Sequence, residues 1–195
     1  VQQSDREHLD RSREAWRAFW DISGEQRVLT IDRNEAYCVC EVMYHTRFQE
    51  LLGALKSLVS ISVGWMPSSD LRIFILRLLG AKIGKNVYIA PWVLVDPMYP
   101  ELIELENDVF LGMGCRLLTH EYTTKHFRIG RLSIGAGSVI GGWATIRSGV
   151  KIGRNVTVGL HSFVNKDFPD GSTVVGIPAR VLENSRAQAP TAGSA

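Results

Sequence analysis

From residue 134 onward an aliphatic side chain returns at every sixth position: Ile134, Ile140, Ile146, Ile152, Val158 and Val164. Four residues after each of the first five stands a small or β-branched residue, namely Ser138, Ala144, Val150, Val156 and Ser162. Glycine often follows the aliphatic, as at Gly135, Gly141, Gly153 and Gly159. A fixed short period held this long marks a repeat architecture. Weaker copies come before it. Ile83, Ile89 and Val95 keep the spacing, with Val87, Val93 and Tyr99 at the matching positions, and Leu105, Leu111 and Leu117 keep it again, with Val109 and Cys115. The register breaks after Val95 and after Leu117. We read both breaks as insertions that project as loops from one edge of a solenoid.

A period of six has a simple physical meaning. Alternation along a short strand points the aliphatic residue and its partner to the same, inward face. The glycine and asparagine residues between strands accept the backbone angles of tight turns. Three such strands close one triangular coil of about eighteen residues, and successive coils stack aliphatic on aliphatic. The hexads suffice for about four coils, so the predicted fold is mainly β, a parallel β-helix over residues 81–183.

Residues 1–80 follow a different pattern and read as an α-helical N-terminal region. Between residues 4 and 20, Leu9, Trp16, Phe19 and Trp20 fall roughly on one helical face among charges. A second helical run is expected from about residue 35 to 59. Ser68, Ser69 and Asp70 before an apolar stretch resemble a helix start, and Gly80 stands where a stop is favoured. Residues 51–67 (LLGALKSLVSISVGWMP) are the most apolar stretch, yet short of the ~20 residues of a membrane span. This stretch reads first as a helix and turn packed on a neighbouring surface, with peripheral contact with lipid as the alternative. Residues 184–195 are expected to be a disordered tail.

Composition narrows the function classes. The net charge of +2 on 195 residues gives no strongly basic face of the kind nucleic acid requires. Three cysteines, Cys38, Cys40 and Cys115, cannot all pair internally and form no C-x-x-C, which supports neither a disulfide framework nor a zinc finger. The first twenty residues are charged, without the apolar segment of a secretory signal. A reducing, cytoplasmic location is the expectation.

The hexads, followed by Val164-Asn165-Lys166-Asp167-Phe168-Pro169 and Gly176-Ile177-Pro178-Ala179-Arg180, resemble the hexapeptide-repeat acyltransferases. The nearest likeness is to the small sugar O-acetyltransferases. That resemblance implies a left-handed parallel β-helix, a homotrimer, acetyl-CoA as co-substrate without a metal, and a small hydroxyl acceptor. It also implies a histidine at a cleft between subunits as general base. His120, where the repeat breaks into residues 121–131, is the candidate, since a neutral imidazole suits proton abstraction near physiological pH. Glu121 beside it is expected to orient the base or meet substrate. By position, Gly142, Gly159 and Leu160 would line the cofactor groove, with Asn165 near the pantetheine arm. Lys166 and Arg180 would meet phosphates. Trp143 would pack on cofactor or on a partner subunit. In the first insertion, Asp96 and Tyr99 are expected at the acceptor, Asp96 holding a sugar hydroxyl.

Two departures from the family pattern bear on donor and acceptor. Val139 replaces a tryptophan common in sugar-acetylating relatives, and Leu160 is bulkier than the residue usual there. Two competing functions share the fold: a non-catalytic assembly module, and a zinc enzyme like the γ-class carbonic anhydrases using His120, His126 and His161. An acyl-enzyme through Cys115 is the remaining alternative, though its inward hexad position reads as a buried apolar thiol.

Overall fold

The computed structural model describes residues 3–21, 26–32 and 47–182. The helical expectation for residues 35–46, the tail at 184–195, Cys38 and Cys40 lie outside them. Helix α1 spans Gln3–Trp20, α2 Arg47–Val63 and α3 Ser69–Leu78. Ser68 caps α3 by accepting the Leu71 N–H at 3.2 Å. One strand departs from the all-helical reading of this region: β1, Val28–Asp32.

The repeat folds into three parallel sheets, one for each face of a triangular prism. The first face stacks β2 (Lys82–Ile83), β5 (Ile103–Leu105), β10 (Leu132–Ile134) and β13 (Lys151–Ile152). The second stacks β3 (Tyr88–Ile89), β6 (Phe110–Leu111), β11 (Val139–Ile140), β14 (Thr157–Val158) and β16 (Thr173–Val175). The third stacks β4 (Leu94–Val95), β7 (Arg116–Leu117), β12 (Thr145–Ile146) and β15 (Phe163–Val164). Four coils result, with Phe168 and β16 opening a fifth before antiparallel β17 (Arg180–Val181) ends it.

The hexad aliphatics are the stacked core. Ile89, Leu111, Ile140, Val158 and Val174 align in register down one face, and Val95, Leu117, Ile146 and Val164 down another. All are buried. The inward hydroxyl of Ser138 is satisfied by donating to the Gly153 carbonyl at 2.8 Å and accepting the Val156 N–H at 3.0 Å. Glycine after the aliphatic is required where coils touch: a Cβ on Gly141 would lie 2.7 Å from the Gly159 backbone.

The two insertions are ordered. The first holds a short 3₁₀ turn, Pro100–Leu102. The second, read from sequence as a loop, is a hairpin of β8 (His120–Tyr122) and β9 (His126–Gly130). Strand β1 adds antiparallel to its far side, from Val28↔Gly130 to Asp32↔His126. A second core forms beneath this small sheet from Phe19, Leu29, Ile31, Tyr99, Leu102, Phe127 and Ile129. Helix α1 packs on it through Trp16 and Trp20.

Candidate active site

Asp96 follows β4 and His120 follows β7, at the same prism corner on successive coils. Their strands are in register, Val95 over Leu117, so stacking carries one side chain to the other. Oδ2 of Asp96 lies 2.7 Å from His120 Nδ1 and also accepts the backbone N–H groups of Thr119 and His120 at 2.8 and 3.2 Å. Oδ1 accepts those of Met98 and Tyr99 at 3.0 and 3.2 Å. Burial of the carboxyl would raise its pKa, but the hydrogen bond and charge of His120 and the backbone donors outweigh this and hold it below the ordinary aspartate range. An ionised carboxylate only accepts, so Nδ1 carries the proton and Nε2 is left as the basic nitrogen.

An aromatic wall fixes the ring. Tyr99 and Tyr122 meet it edge-on at 5.6 and 5.8 Å, and Phe127 lies 6.1 Å away. Trp16 and Trp20 back Tyr99 at 5.9 Å each. His120 keeps 17% of its side-chain surface exposed, whereas Asp96 exposes none.

Three residues expected on the acceptor side lie as follows. Asp96 is buried, with both oxygens engaged by His120 and backbone donors. Tyr99, 6% exposed, packs inside the second core and against the imidazole. Glu121 is engaged elsewhere. Its carboxylate accepts from Arg147 Nε at 2.9 Å and Ser148 Oγ at 2.6 Å, away from His120. Tyr122, half exposed beside His120, went unread because the hairpin carries no hexad signal.

The expected cofactor residues fall on two corners flanking the third face. Gly142, Trp143, Gly159 and Leu160 occupy the corner before that face, in consecutive coils. Trp143 and His161 hold positive φ of 59° and 56° there and stack with centroids 6.5 Å apart. Such backbone angles are uncommon for bulky residues and concentrate at functional positions. Leu160 is 72% exposed and Trp143 45%, so the corner is apolar and open. Asn165 and Lys166 lie on the other corner, in the column of Asp96 and His120, two coils further on. Lys166 Nζ stands 5.5 Å over the Phe168 ring. Arg180 sits on β17, paired with Val175. Within one chain, the width of a prism face of about five residues, ~15 Å, separates His120 from the Trp143 corner.

His120, His126 and His161 stand apart, on the hairpin's two strands and at the opposite corner. Among the described residues no three His, Cys, Asp or Glu side chains are placed to hold a metal ion. The Cys115 thiol is fully buried, and burial pushes its pKa up to about 12, so it stays a neutral core residue. No helix among the described residues is long and apolar enough to cross a membrane.

Comparisons with known proteins agree with this architecture. Residues 132–166, the most regular hexads, match the family model described as bacterial transferase hexapeptide (six repeats). YvoF of Bacillus subtilis (strain 168), provisionally named an acetyltransferase, is 35% identical over 133 residues, 67% of this chain and 77% of that protein. SAS0727 of Staphylococcus aureus (strain MSSA476), named in the same provisional way, is 39% identical over 115 residues, 58% of this chain and 71% of that one. The chain belongs to the hexapeptide-repeat family of bacterial transferases, as an acetyltransferase-type enzyme with a left-handed parallel β-helix.

Solved structures show the same fold. The acetyltransferase VCA0836 of Vibrio cholerae O1 biovar eltor, complexed with acetyl-coenzyme A, superposes with TM-score 0.60 at 21% identity, over 71% of this chain and 90% of that one. The maltose O-acetyltransferase of Clostridium difficile 630 does so with TM-score 0.56 at 21% identity, over 71% and 88%.

Proposed function

We propose that this enzyme moves an acetyl group from acetyl-CoA to a hydroxyl of a sugar or related small molecule, with His120 as general base. The observation that carries the proposal is the His120–Asp96 pair: a part-exposed imidazole whose Nδ1 is held by a buried carboxylate, leaving Nε2 to take a proton. The acceptor oxygen attacks the thioester carbonyl directly in a ternary complex. The new C–O bond forms as the C–S bond breaks, and the hydroxyl proton passes through His120 to the departing thiolate. Asp96 stabilises the imidazolium formed in between.

Gly142, Trp143, Gly159 and Leu160 would hold the pantetheine arm along their open apolar corner, and Asn165, Lys166 and Arg180 would meet its polar and phosphate groups. Because that corner is a face away from His120 in one chain, the reading places the site between two copies, in a homotrimer with three equivalent clefts. The reducing compartment that supplies acetyl-CoA is the expected location.

The test is thiol release from acetyl-CoA, screened against sugars, amino sugars and hydroxylated antibiotics. Release that depends on a hydroxylated acceptor supports the proposal, and no release with any acceptor overturns it.

A further inference from the structure

Helices α2 and α3 close the open end of the solenoid. Ser60 Oγ donates to the carbonyls of Val95 and Asp96 at 3.4 Å, and Ser69 Oγ accepts the Ile89 N–H at 3.0 Å. Arg72 Nε donates to the Ile89 carbonyl at 3.1 Å, and Arg77 to those of Ile83 and Gly84. These first-coil groups would otherwise pair with a preceding coil. The opposite side of the helices therefore faces outward along the prism axis.

That outer side has inverted amphipathicity. The covered positions of α2 are Gly53, Lys56, Ser57, Ser60 and Val63, and Lys56 pairs inward with Glu101 at 2.6 Å. Its exposed large apolar positions are Phe48, Leu51, Leu52, Leu55, Leu58, Val59 and Ile61, each 41–66% exposed, with Ala54 and Ser62 exposed among them. Leu71, Phe74 and Leu78 of α3 extend the surface, and Trp65 at 77% follows α2 directly. Together they expose roughly 1,000 Å² of apolar surface, beyond the few hundred Å² usual for a free protein surface.

Charge decides what covers it. Among the described side chains of residues 47–95, Arg77, Lys82 and Lys85 are exposed against one exposed carboxylate, Asp70, while Lys56 is paired with Glu101 and Arg72 is buried. Two such ends meeting head to head would set like charge against like. An anionic bilayer satisfies both the charge and the apolar face. Trp65 and Trp92, edge-to-face at 6.4 Å and both exposed, suit the headgroup boundary. We infer that α2 and α3 seat the protein on an anionic lipid surface, lying in the interfacial plane rather than crossing it.

Flotation of the full chain with phosphatidylglycerol–phosphatidylethanolamine vesicles tests this without any acceptor, so its outcome is separate from that of the acetyl-transfer reading. Wild type should float with these vesicles, and about tenfold less with phosphatidylcholine vesicles or in about 0.5 M salt. Leu55→Glu combined with Leu58→Glu should cut binding by about tenfold or more, with the light-scattering mass unchanged. Leu182→Glu, the same change at the other end of the solenoid, should bind as wild type. Brominated lipid should quench tryptophan emission in wild type and less in Trp65→Phe, a readout independent of how the double variant folds. Absence of flotation with anionic vesicles overturns the inference. So does a double variant that floats like wild type, or one whose oligomeric mass changes while flotation does not, which would assign the face to a second copy.

Discussion

Nδ1 of His120 lies 2.7 Å from Oδ2 of Asp96, across one step of the coil stack. The strand register that stacks Val95 on Leu117 makes this contact, so the imidazole is positioned by the same packing that holds the fold together. Asp96→Asn keeps the shape but puts an amide where a carboxylate fixes the tautomer. Turnover should fall by about 10²–10⁴, with the KM for acetyl-CoA within about twofold of wild type. Steady-state kinetics on both substrates checks this.

The same carboxylate should set part of the acid stability. Its pKa is depressed in the folded protein, so on acidification the unfolded chain takes up the proton first. The stabilisation is fully present above the unfolded aspartate value of about 4, and is lost as pH falls through the lower folded value. Asp96→Ala, which strands the N–H groups of Met98, Tyr99, Thr119 and His120, should cost about 3–5 kcal/mol at neutral pH. The deficit should shrink on acidification in urea unfolding series run from pH 7 downward.

Lys166 and Arg180 are exposed cations assigned to the donor. Lys166→Ala or Arg180→Ala should raise the KM for acetyl-CoA by about tenfold and leave that for the acceptor unchanged. Salt should mimic part of the effect. Equal affinity for CoA and for CoA lacking its phosphates would remove the assignment.

Gly114 and Trp143 occupy successive levels of one corner. Gly114 has φ of +69°, and a Cβ there would lie 2.7 Å from the Trp143 ring. Gly114→Ala should destabilise by about 1–3 kcal/mol through backbone strain and this clash. The clash component should vanish in a Trp143→Ala background, giving a measurable coupling in a double-mutant cycle by thermal unfolding.

How much of this was legible follows from where the period holds. Ile134 to Val164 could be placed because inward position, turn and coil stacking all repeat with the hexad, and each of these residues is buried. The pairing of Val28–Asp32 with β9 was not legible, since its partner lies a hundred residues away and shares no period with it. His120 stood out at a break in the repeat. Read alone, the first insertion does not show that Asp96 meets His120. The signal for that contact is in the repeat: aligning Val95 with Leu117 sets the residue after one beside the residues after the other. Glu121 bonds Arg147 and Ser148 because adjacency in a strand sends neighbours to opposite faces.

His120, held by Asp96, is proposed to take the proton from the acceptor hydroxyl. Thiol release by His120→Ala at saturating acetyl-CoA, with the best acceptor of the screen and chemistry rate-limiting, tests it most directly. Turnover should fall by about 10²–10⁴ with CoA affinity nearly intact, measured below the thermal unfolding transition of the variant. Retention of more than about a tenth of wild-type turnover, against that expected loss, would contradict it.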